Sequence, residues 1–268
     1  MSDLEVPQAY RSEPGRKCEL CNRTVQPPTS WAGAYCCTGL GQITIAEHEL
    51  PHYVHVLVIQ HQPEGPPGLI APWLDAIGAR RSVWCPAADQ HVDELETYDA
   101  IVSLGSAQSV YDSAVRWIST EIDLLERAIA TATPVLGVCF GAQCLAVAAG
   151  GGVQRMHEPE LGWISLDDET RMVGRGPWFS WHGDVIDPPP GAVVLGRSPR
   201  AHQAFAMGPH LGVQFHPEIE LPTIEACLDR HGIAGSRRAR IEAESARYHA
   251  DARLAALELL DSWRRTWP

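Results

Sequence analysis

The stretch Pro134-Val135-Leu136-Gly137-Val138-Cys139-Phe140-Gly141-Ala142-Gln143 decides the fold of this chain. Its first half is a short apolar run typical of a buried strand, and residues 141–149 are small and favour a helix. Cys139 therefore lies on the turn between strand and helix. The pattern Gly-x-Cys-x-Gly keeps the geometry of the Gly-x-Ser-x-Gly nucleophile elbow, which lifts a nucleophile above the sheet. Because the thiol lies near the positive end of the following helix, we expect it to have increased thiolate character.

A second motif, Gln214-Phe215-His216-Pro217-Glu218, offers a base for this cysteine. Pro217 disfavours a helical conformation at His216, and in an extended chain residues two apart share a face. The carboxylate of Glu218 can then hold one imidazole nitrogen, while the other faces the thiol as general base and later as general acid. Taken singly, each motif also fits a structural role, as a core cysteine or a turn. Together they predict a triad of Cys139, His216 and Glu218.

From residue 54 onward, short apolar runs alternate with stretches of helical spacing. This alternation indicates an α/β fold with an open, doubly wound, mostly parallel sheet and helices on both faces. Strands are predicted at residues 54–60, 81–85, 100–104, 134–138, 153–166, 193–195, 203–207 and 211–215, and helices at 69–77, 115–130, 141–149, 220–230 and 237–263. The catalytic groups would then lie at carboxyl ends of strands, where open α/β sheets bind ligands.

The two motifs and the α/β order resemble the class I glutamine amidotransferase family, in particular stand-alone domains similar to the glutaminase part of GMP synthetase. Further matching segments follow in the family's order: Val56-Leu57-Val58-Ile59-Gln60-His61 for the first strand, Glu64-Gly65-Pro66-Pro67-Gly68 for the next loop, Val102-Ser103-Leu104-Gly105-Ser106-Ala107-Gln108-Ser109-Val110-Tyr111-Asp112 for the oxyanion strand, and Trp181-His182-Gly183-Asp184 for the segment at the substrate carboxylate. The resemblance implies a flavodoxin-like fold. It also implies hydrolysis of the glutamine side-chain amide through a γ-glutamyl thioester, with release of ammonia.

The resemblance assigns roles to further residues. Cys139 would be the nucleophile, His216 the base and Glu218 the residue that orients it. Backbone N–H groups of Ser106 and Phe140 would hold the oxyanion. The glutamine would be bound by Gly105, Gln143, Trp181 and His182, the last two through their backbone at its α-carboxylate. This chain departs from the family at positions 105–107, where two glycines and a proline are usual, and the Cβ of Ser106 makes a positive φ costlier there.

No P-loop or other ATP site is recognisable, so the resemblance implies that a separate ATP-dependent synthetase chain receives the ammonia. Two alternatives stay open. A γ-glutamyl hydrolase or peptidase, acting on γ-glutamyl conjugates of small molecules, would use the same triad and differ only in the pocket for the leaving group. A non-catalytic scaffold would retain the fold alone. No cofactor is expected for catalysis.

Residues 1–52 are predicted to be an N-terminal extension, and residues 53–268 the amidotransferase domain with its C-terminal helices. The extension carries Cys18 and Cys21 in a C-x2-C pattern, followed by Cys36 and Cys37. These four thiols are candidate ligands of a structural zinc ion. Because a vicinal pair rarely binds one ion with both sulfurs, His48 or His52 is an alternative fourth ligand. Reduced thiols that bind no metal are the other interpretation.

The formal net charge of -12 argues against a nucleic acid partner, because phosphate recognition needs a basic surface. No apolar run reaches the roughly eighteen residues that a membrane span requires. The chain begins with acidic rather than basic and apolar residues, and its eight cysteines come without a secretion signal, so they do not indicate a disulfide framework. We therefore expect a soluble, cytoplasmic protein without a membrane partner.

Overall fold

The computed structural model describes residues 53–88, 92, 94–167 and 172–268, together with two short strands nearer the N-terminus. These strands, β1 (Ala34–Tyr35) and β2 (Gln42–Ile43), pair antiparallel. The stretch Tyr53–Pro268 forms one compact unit. The predicted zinc ligands Cys18, Cys21, Cys36 and Cys37, and the alternatives His48 and His52, lie outside the described residues. The zinc site and the division of the chain after residue 52 therefore stay predictions.

A nine-stranded sheet forms the centre of the compact unit. Its strands are β3 (His55–Ile59), β4 (Arg80–Trp84), β5 (Ala100–Ser103), β6 (Val135–Val138), β7 (Gly152–Ile164), β8 (Trp178–Asp187), β9 (Val193–Arg197), β10 (His202–Met207) and β11 (His210–Val213). The helices are α1 (Ile70–Ala76), α2 (Arg116–Ala130), α3 (Phe140–Ala148), α4 (Leu221–Arg230) and α5 (Gly235–Arg264), with a 3-10 turn at Leu95–Thr97.

The strand order is β4-β3-β5-β6-β11-β10-β8-β7, and β9 pairs with β10. The five strands from β4 to β11 are parallel, whereas β10, β8, β7 and β9 pair antiparallel. In the parallel part, β6 lies between β5 and β11, with Val138 opposite Val213. The segments that follow β3, β5, β6 and β11 therefore emerge at the same edge of the sheet.

Helices cover both faces of the sheet, which explains why its central strands are apolar throughout. On β3, Val56 and Val58 pack in one core with residues of α1 and α5, and Leu57 and Ile59 pack in a second core with residues of α2 and α3. This arrangement confirms the predicted α/β class with helices on both faces. Within the described ranges, no helix is both long and apolar enough to cross a membrane.

Each predicted strand and helix is present, with ends that shift by at most about two residues. The sequence interpretation missed β8, which runs for ten residues beside β7. Its alternating pattern is disguised because the buried positions include the polar residues Ser180, His182 and Asp184. A strand with polar residues on its buried face does not show the period of two that identifies a half-buried strand.

Candidate active site

Cys139 lies on a strained turn between β6 and α3, with φ of 52° and ψ of -106°. Among the described non-glycine residues, only Ala132 shares a positive φ. The flanking glycines are required by close packing: a Cβ on Gly137 would lie 2.6 Å from the carbonyl oxygen of Gly141, and one on Gly141 would lie 2.2 Å from that of Ser103. Such strain persists only where the surrounding structure imposes it, and it is typical of functional sites.

Two backbone hydrogen bonds hold this elbow against its neighbouring strands. The N–H of Cys139 donates to the carbonyl oxygen of Val213 at 2.8 Å, and the N–H of Gly141 donates to that of Leu104 at 3.1 Å. Cys139 is therefore fixed between the segment that carries Gly105 and the segment that carries His216.

His216 and Glu218 form the pair that the sequence predicted. Nδ1 of His216 lies 2.8 Å from Oε1 of Glu218. Burial opposes the charged imidazolium, but the charges and hydrogen bonds of Glu218 and of the Cys139 sulfur outweigh it, and they raise the pKa of His216 well above its ordinary value. His216 is held against β8 as well, because its backbone N–H donates to the carbonyl oxygen of Phe179 at 2.8 Å. The three predicted triad residues thus lie together.

Two buried glutamine side chains connect to the nucleophile. The Nε2 amide of Gln214 donates to the sulfur of Cys139 at 3.6 Å, and the Nε2 amide of Gln143 donates to Oε1 of Gln214 at 3.3 Å. Sequence reasoning gave Gln143 a role in substrate binding but gave Gln214 none. The only signal for Gln214 was a polar residue within an apolar run of β11 and its extension, two residues before the candidate base.

Both candidate oxyanion donors border the same pocket as Cys139. Gly105 packs closely there, because a Cβ on it would lie 3.2 Å from Cε1 of His216 and 3.7 Å from Cβ of Cys139. Ser106 does not adopt a positive φ. Its Cβ therefore imposes no left-handed strain, and the cost expected from the departure at residues 105–107 is avoided.

Trp181 and His182 lie on β8 beside the pocket. The carbonyl oxygen of Trp181 accepts from the thiol of Cys139 at 3.8 Å. The ring of His182 is buried and engaged within the protein: its Nδ1 lies 2.8 Å from the carbonyl oxygen of Asp184, and its Nε2 lies 3.2 Å from Oε2 of Glu160. Both ring nitrogens of His182 thus have partners within the protein, which is consistent with the predicted role of its backbone.

Glu160 is buried with several donors around its carboxylate. Ser198 donates at 3.0 Å and Gln203 at 2.6 Å, in addition to the contact with His182. Burial would raise the pKa of Glu160, but these hydrogen bonds and the charge of His182 outweigh burial and lower it. This network connects β7, β8 and β10 directly behind the pocket.

The pocket has a volume of about 740 Å³. Cys139 and His216 line it together with ionisable side chains of both signs: Glu64, Asp112, Arg155 and Asp184. Asp184 is fixed by Ser109 and Tyr111, whose hydroxyls donate to it at 2.9 and 2.8 Å. In the part of the chain that the structure describes, no group of three or more His, Cys, Asp or Glu side chains is arranged to hold a metal ion.

Comparison with known proteins agrees with this geometry. The family model for class I glutamine amidotransferases matches residues 75–228. One subunit of the glutamine-hydrolyzing GMP synthase from Saccharolobus solfataricus is 32% identical over 139 residues, which cover 48% of this chain and 72% of the relative. The corresponding subunit from Sulfurisphaera tokodaii is 34% identical over 142 residues, covering 49% of this chain and 73% of the relative.

Solved structures extend the likeness over most of the compact unit. A glutamine amidotransferase from Thermotoga maritima has a TM-score of 0.70 at 27% identity and covers 79% of this chain and 98% of its own. A glutamine amido transferase from Methylobacillus flagellatus, 23% identical, shares the fold with a TM-score of 0.73 and covers 81% of this chain and 96% of its own. The family model spans more than half of the sequence, and the chain therefore belongs to the class I glutamine amidotransferase family, with similarity to the glutaminase part of GMP synthase.

Proposed function

We propose that this protein hydrolyses the side-chain amide of glutamine through a γ-glutamyl thioester on Cys139 and supplies the ammonia to a separate synthetase chain. The observation that carries the proposal is the arrangement of the triad: a thiol on a strained elbow, an imidazole that lines the same pocket, and a carboxylate 2.8 Å from that imidazole. The thiol and the carboxylate both raise the pKa of the imidazole against the effect of burial. All three groups border one pocket at the carboxyl edge of the parallel strands.

Acylation follows from the positions of these groups. The Cys139 thiolate attacks the amide carbon, and the carbonyl oxygen becomes an oxyanion held by the backbone N–H groups of Ser106 and Phe140. Protonated His216 then gives its proton to the amide nitrogen, the C–N bond breaks, and ammonia leaves. Glu218 keeps the imidazole oriented and stabilises its positive charge throughout.

Deacylation reverses the direction of proton transfer. Neutral His216 takes a proton from a water molecule, and the resulting hydroxide attacks the thioester carbon. The C–S bond breaks, glutamate leaves, and Cys139 returns to the thiolate paired with protonated His216. Besides the substrate and one water molecule, the steps use side-chain and backbone groups of this protein.

A separate synthetase partner is supported by the relatives. Those from Saccharolobus solfataricus and Sulfurisphaera tokodaii are each named as one subunit of a glutamine-hydrolyzing GMP synthase, and this chain covers 72% and 73% of them. An enzyme that is built from different subunits can divide its activities between chains. We therefore propose such a division here, with a synthetase that consumes ammonia on the partner chain.

The proposal is tested with glutamine and with 6-diazo-5-oxo-L-norleucine, a glutamine analogue that alkylates thiols. We expect the purified protein to release ammonia and glutamate in equal amounts, and the analogue to add to Cys139, as located by mass spectrometry. Cys227→Ala is the matched control, because Cys227 lines the same pocket and is only partly buried. Analogue on Cys227, or none on a folded protein that hydrolyses no glutamine, contradicts the assignment and favours a non-catalytic scaffold.

A second candidate, hydrolysis of γ-glutamyl conjugates, is favoured by the size of the pocket. Its volume of about 740 Å³ lies in the range of sites that hold drug-sized ligands, which is more than a glutamine molecule fills. Comparing kcat/KM for free glutamine with kcat/KM for γ-glutamyl amides of larger amines separates the two. A higher value for the conjugates assigns the spare volume to a leaving group.

A further inference from the structure

A second buried histidine–glutamate pair lies beside the triad. His61, which follows β3, places Nε2 2.7 Å from Oε2 of Glu121 on α2. Its Nδ1 lies 3.1 Å from the carbonyl oxygen of Gly105. The other carboxylate oxygen of Glu121 accepts from the hydroxyl of Ser103 at 2.5 Å. Both ionisable side chains are almost completely buried, with 1% and 0% of their side-chain surface exposed.

The partners of His61 determine which ring nitrogens carry protons. A carbonyl oxygen can only accept, so Nδ1 must donate to Gly105. Burial lowers the pKa of His61, but the charge and hydrogen bond of Glu121 and the hydrogen bond to Gly105 outweigh burial and raise it. With Nδ1 donating to the backbone, the contact of Nε2 with the Glu121 carboxylate favours the ring form in which both nitrogens donate.

The hydrogen bond to Gly105 controls a peptide group that borders the active site. In a planar trans peptide, the C=O and the following N–H point in opposite directions. With the oxygen of Gly105 directed at His61, the N–H of Ser106 is directed to the other side of the strand end, and Ser106 itself lines the pocket. The hydrogen bond from His61 thus fixes the orientation of the Gly105–Ser106 peptide. In the family, two glycines at this position would permit that orientation.

Aromatic packing keeps His61 in this position. Its ring stacks on Trp117 with centroids 5.1 Å apart, and it meets the ring of Phe140 edge-on at 5.0 Å. Phe140 carries the other candidate oxyanion donor. One imidazole therefore contacts the residues on both sides of the oxyanion site, one through a hydrogen bond and one through ring packing.

We infer that His61 and Glu121 are positioning residues of the oxyanion site: His61 holds the Gly105–Ser106 peptide with its N–H available to the developing oxyanion, and Glu121 holds His61. The inference rests on the proposed function, because it concerns the same tetrahedral intermediate. The donor to Gly105 also withdraws electron density from that carbonyl, which strengthens the N–H of Ser106 as a donor.

The test uses two variants of the full chain. His61→Phe alone would leave a buried carboxylate without its partner, so it is combined with Glu121→Leu, because replacing both members of a buried pair by apolar residues is often tolerated. Glu121→Gln is the conservative variant: its amide can donate to Nε2 of a neutral ring, which keeps the hydrogen bond to Gly105. His55→Phe is the control, since it removes two ring hydrogen bonds at the opposite end of β3.

For the double variant we expect kcat for glutamine to fall about 10²-fold, as for loss of one oxyanion donor, with KM changed little. The rate at which iodoacetamide alkylates Cys139 should stay within about twofold of wild type, because that reaction forms no oxyanion. Glu121→Gln should lose about tenfold or less, and His55→Phe nothing measurable. Unchanged kcat in the folded double variant overturns the inference. A parallel fall in alkylation does so too, since it assigns the pair to the triad instead.

A substrate-free measurement separates this inference from the proposed function. If wild type hydrolyses no glutamine, the proposed function fails, and the amide proton shift of Ser106 in NMR spectra then reports on the pair alone. We expect this proton to move upfield in Glu121→Gln and further in the double variant, as its peptide becomes less polarised. An unchanged shift in both variants rejects the inference whatever the activity.

Discussion

The backbone N–H of Leu69 donates a 2.9 Å hydrogen bond to the carbonyl oxygen of Glu218, so the segment before α1 supports the residue that we propose orients His216. Gly68 makes this approach possible. It has φ of +44°, and a Cβ on it would lie 1.9 Å from the same carbonyl oxygen. The end of the loop of residues 64–68 is therefore in direct contact with Glu218.

Gly68→Ala should consequently displace Glu218 and lower both stability and activity. We expect a loss of about 2–4 kcal/mol in the free energy of unfolding, because a steric clash adds to the cost of a positive φ. Gly78→Ala is the control, since Gly78 has φ of +71° but no atom within 4 Å of the added Cβ. Urea titration and kcat measurements compare the two, and equal losses for both would show that the contact with Glu218 is unimportant.

The elbow strain at Cys139 predicts an unusual order of stabilities. Cys139→Gly should be as stable as Cys139→Ala or more so, by up to about 1 kcal/mol, because relief of a positive φ offsets the larger entropy of unfolded glycine. At Cys144, inside α3, the order should reverse, with glycine about 1 kcal/mol less stable than alanine. Urea denaturation measures all four variants. A clear preference for alanine at position 139 argues against strain.

Replacing His216, the proposed base, should lower activity more than removing the negative charge of Glu218. We expect His216→Asn to lower kcat roughly 10⁴-fold and Glu218→Gln roughly 10²-fold, because the glutamate orients the ring without transferring a proton. Glu220→Gln, which changes a carboxylate paired with His249 and Arg253, is the control and should retain full activity. Steady-state kinetics provide the comparison, and equal losses at 216 and 218 would contradict these roles.

Substitutions of the two buried glutamines, Gln214 and Gln143, should affect different properties, the reactivity of the Cys139 thiol and the KM for glutamine. Gln214→Met removes the donor 3.6 Å from the Cys139 sulfur, and we expect alkylation of that thiol by iodoacetamide at neutral pH to slow about five- to tenfold. Gln143→Met should leave alkylation unchanged, because Gln143 contacts Gln214 rather than the sulfur. It should raise KM for glutamine, because Gln143 lines the pocket and is a predicted substrate-binding residue. Identical alkylation rates in both variants would remove Gln214 from the nucleophile's environment.

The stability of the fold should depend on pH through His210. Burial lowers the pKa of His210 to about 4, so the folded state binds its proton less readily than the unfolded state does. Between the ordinary pKa and about 4, the unfolded state holds more protons, and stability falls as the pH falls. We expect His210→Gln to reduce the loss of unfolding free energy between pH 7 and 4 by up to about 3 kcal/mol. An identical pH dependence in wild type and variant would refute this.

The sequence predicted those features that depend on local chain geometry. Strand and helix at the elbow follow from an apolar run, two glycines and a stretch of small residues around Cys139. The contact of His216 with Glu218 follows from Pro217 and the period of two in extended chain. These features need only a few consecutive residues, and for that reason they could be inferred without coordinates.

Contacts between distant segments could not be predicted in this way. Glu121 contacts His61 only because α2 packs on the sheet near the end of β3. The sequence shows no local pattern for this pairing, apart from one acidic residue among the buried positions of α2. Likewise, β8 stayed hidden because the partners of its buried polar side chains lie far away in the sequence. His182 contacts Glu160 on β7, and Asp184 accepts from Ser109 and Tyr111. The absence of a positive φ at Ser106 could not be predicted either, because this conformation also depends on contacts with distant segments.

The pairing of β6 with β11, with Val138 opposite Val213, has a consequence for how much this enzyme must reorganise when substrate arrives. Cys139 follows β6, and His216 lies shortly after β11. The spacing of these two hydrogen-bonded strands, about 4.8 Å, is fixed when the domain folds. The entropy cost of bringing the reacting groups together is thus met during folding and need not be met again in each turnover. A synthetase partner of the kind we propose would then need only to regulate access to the pocket, without having to assemble these groups.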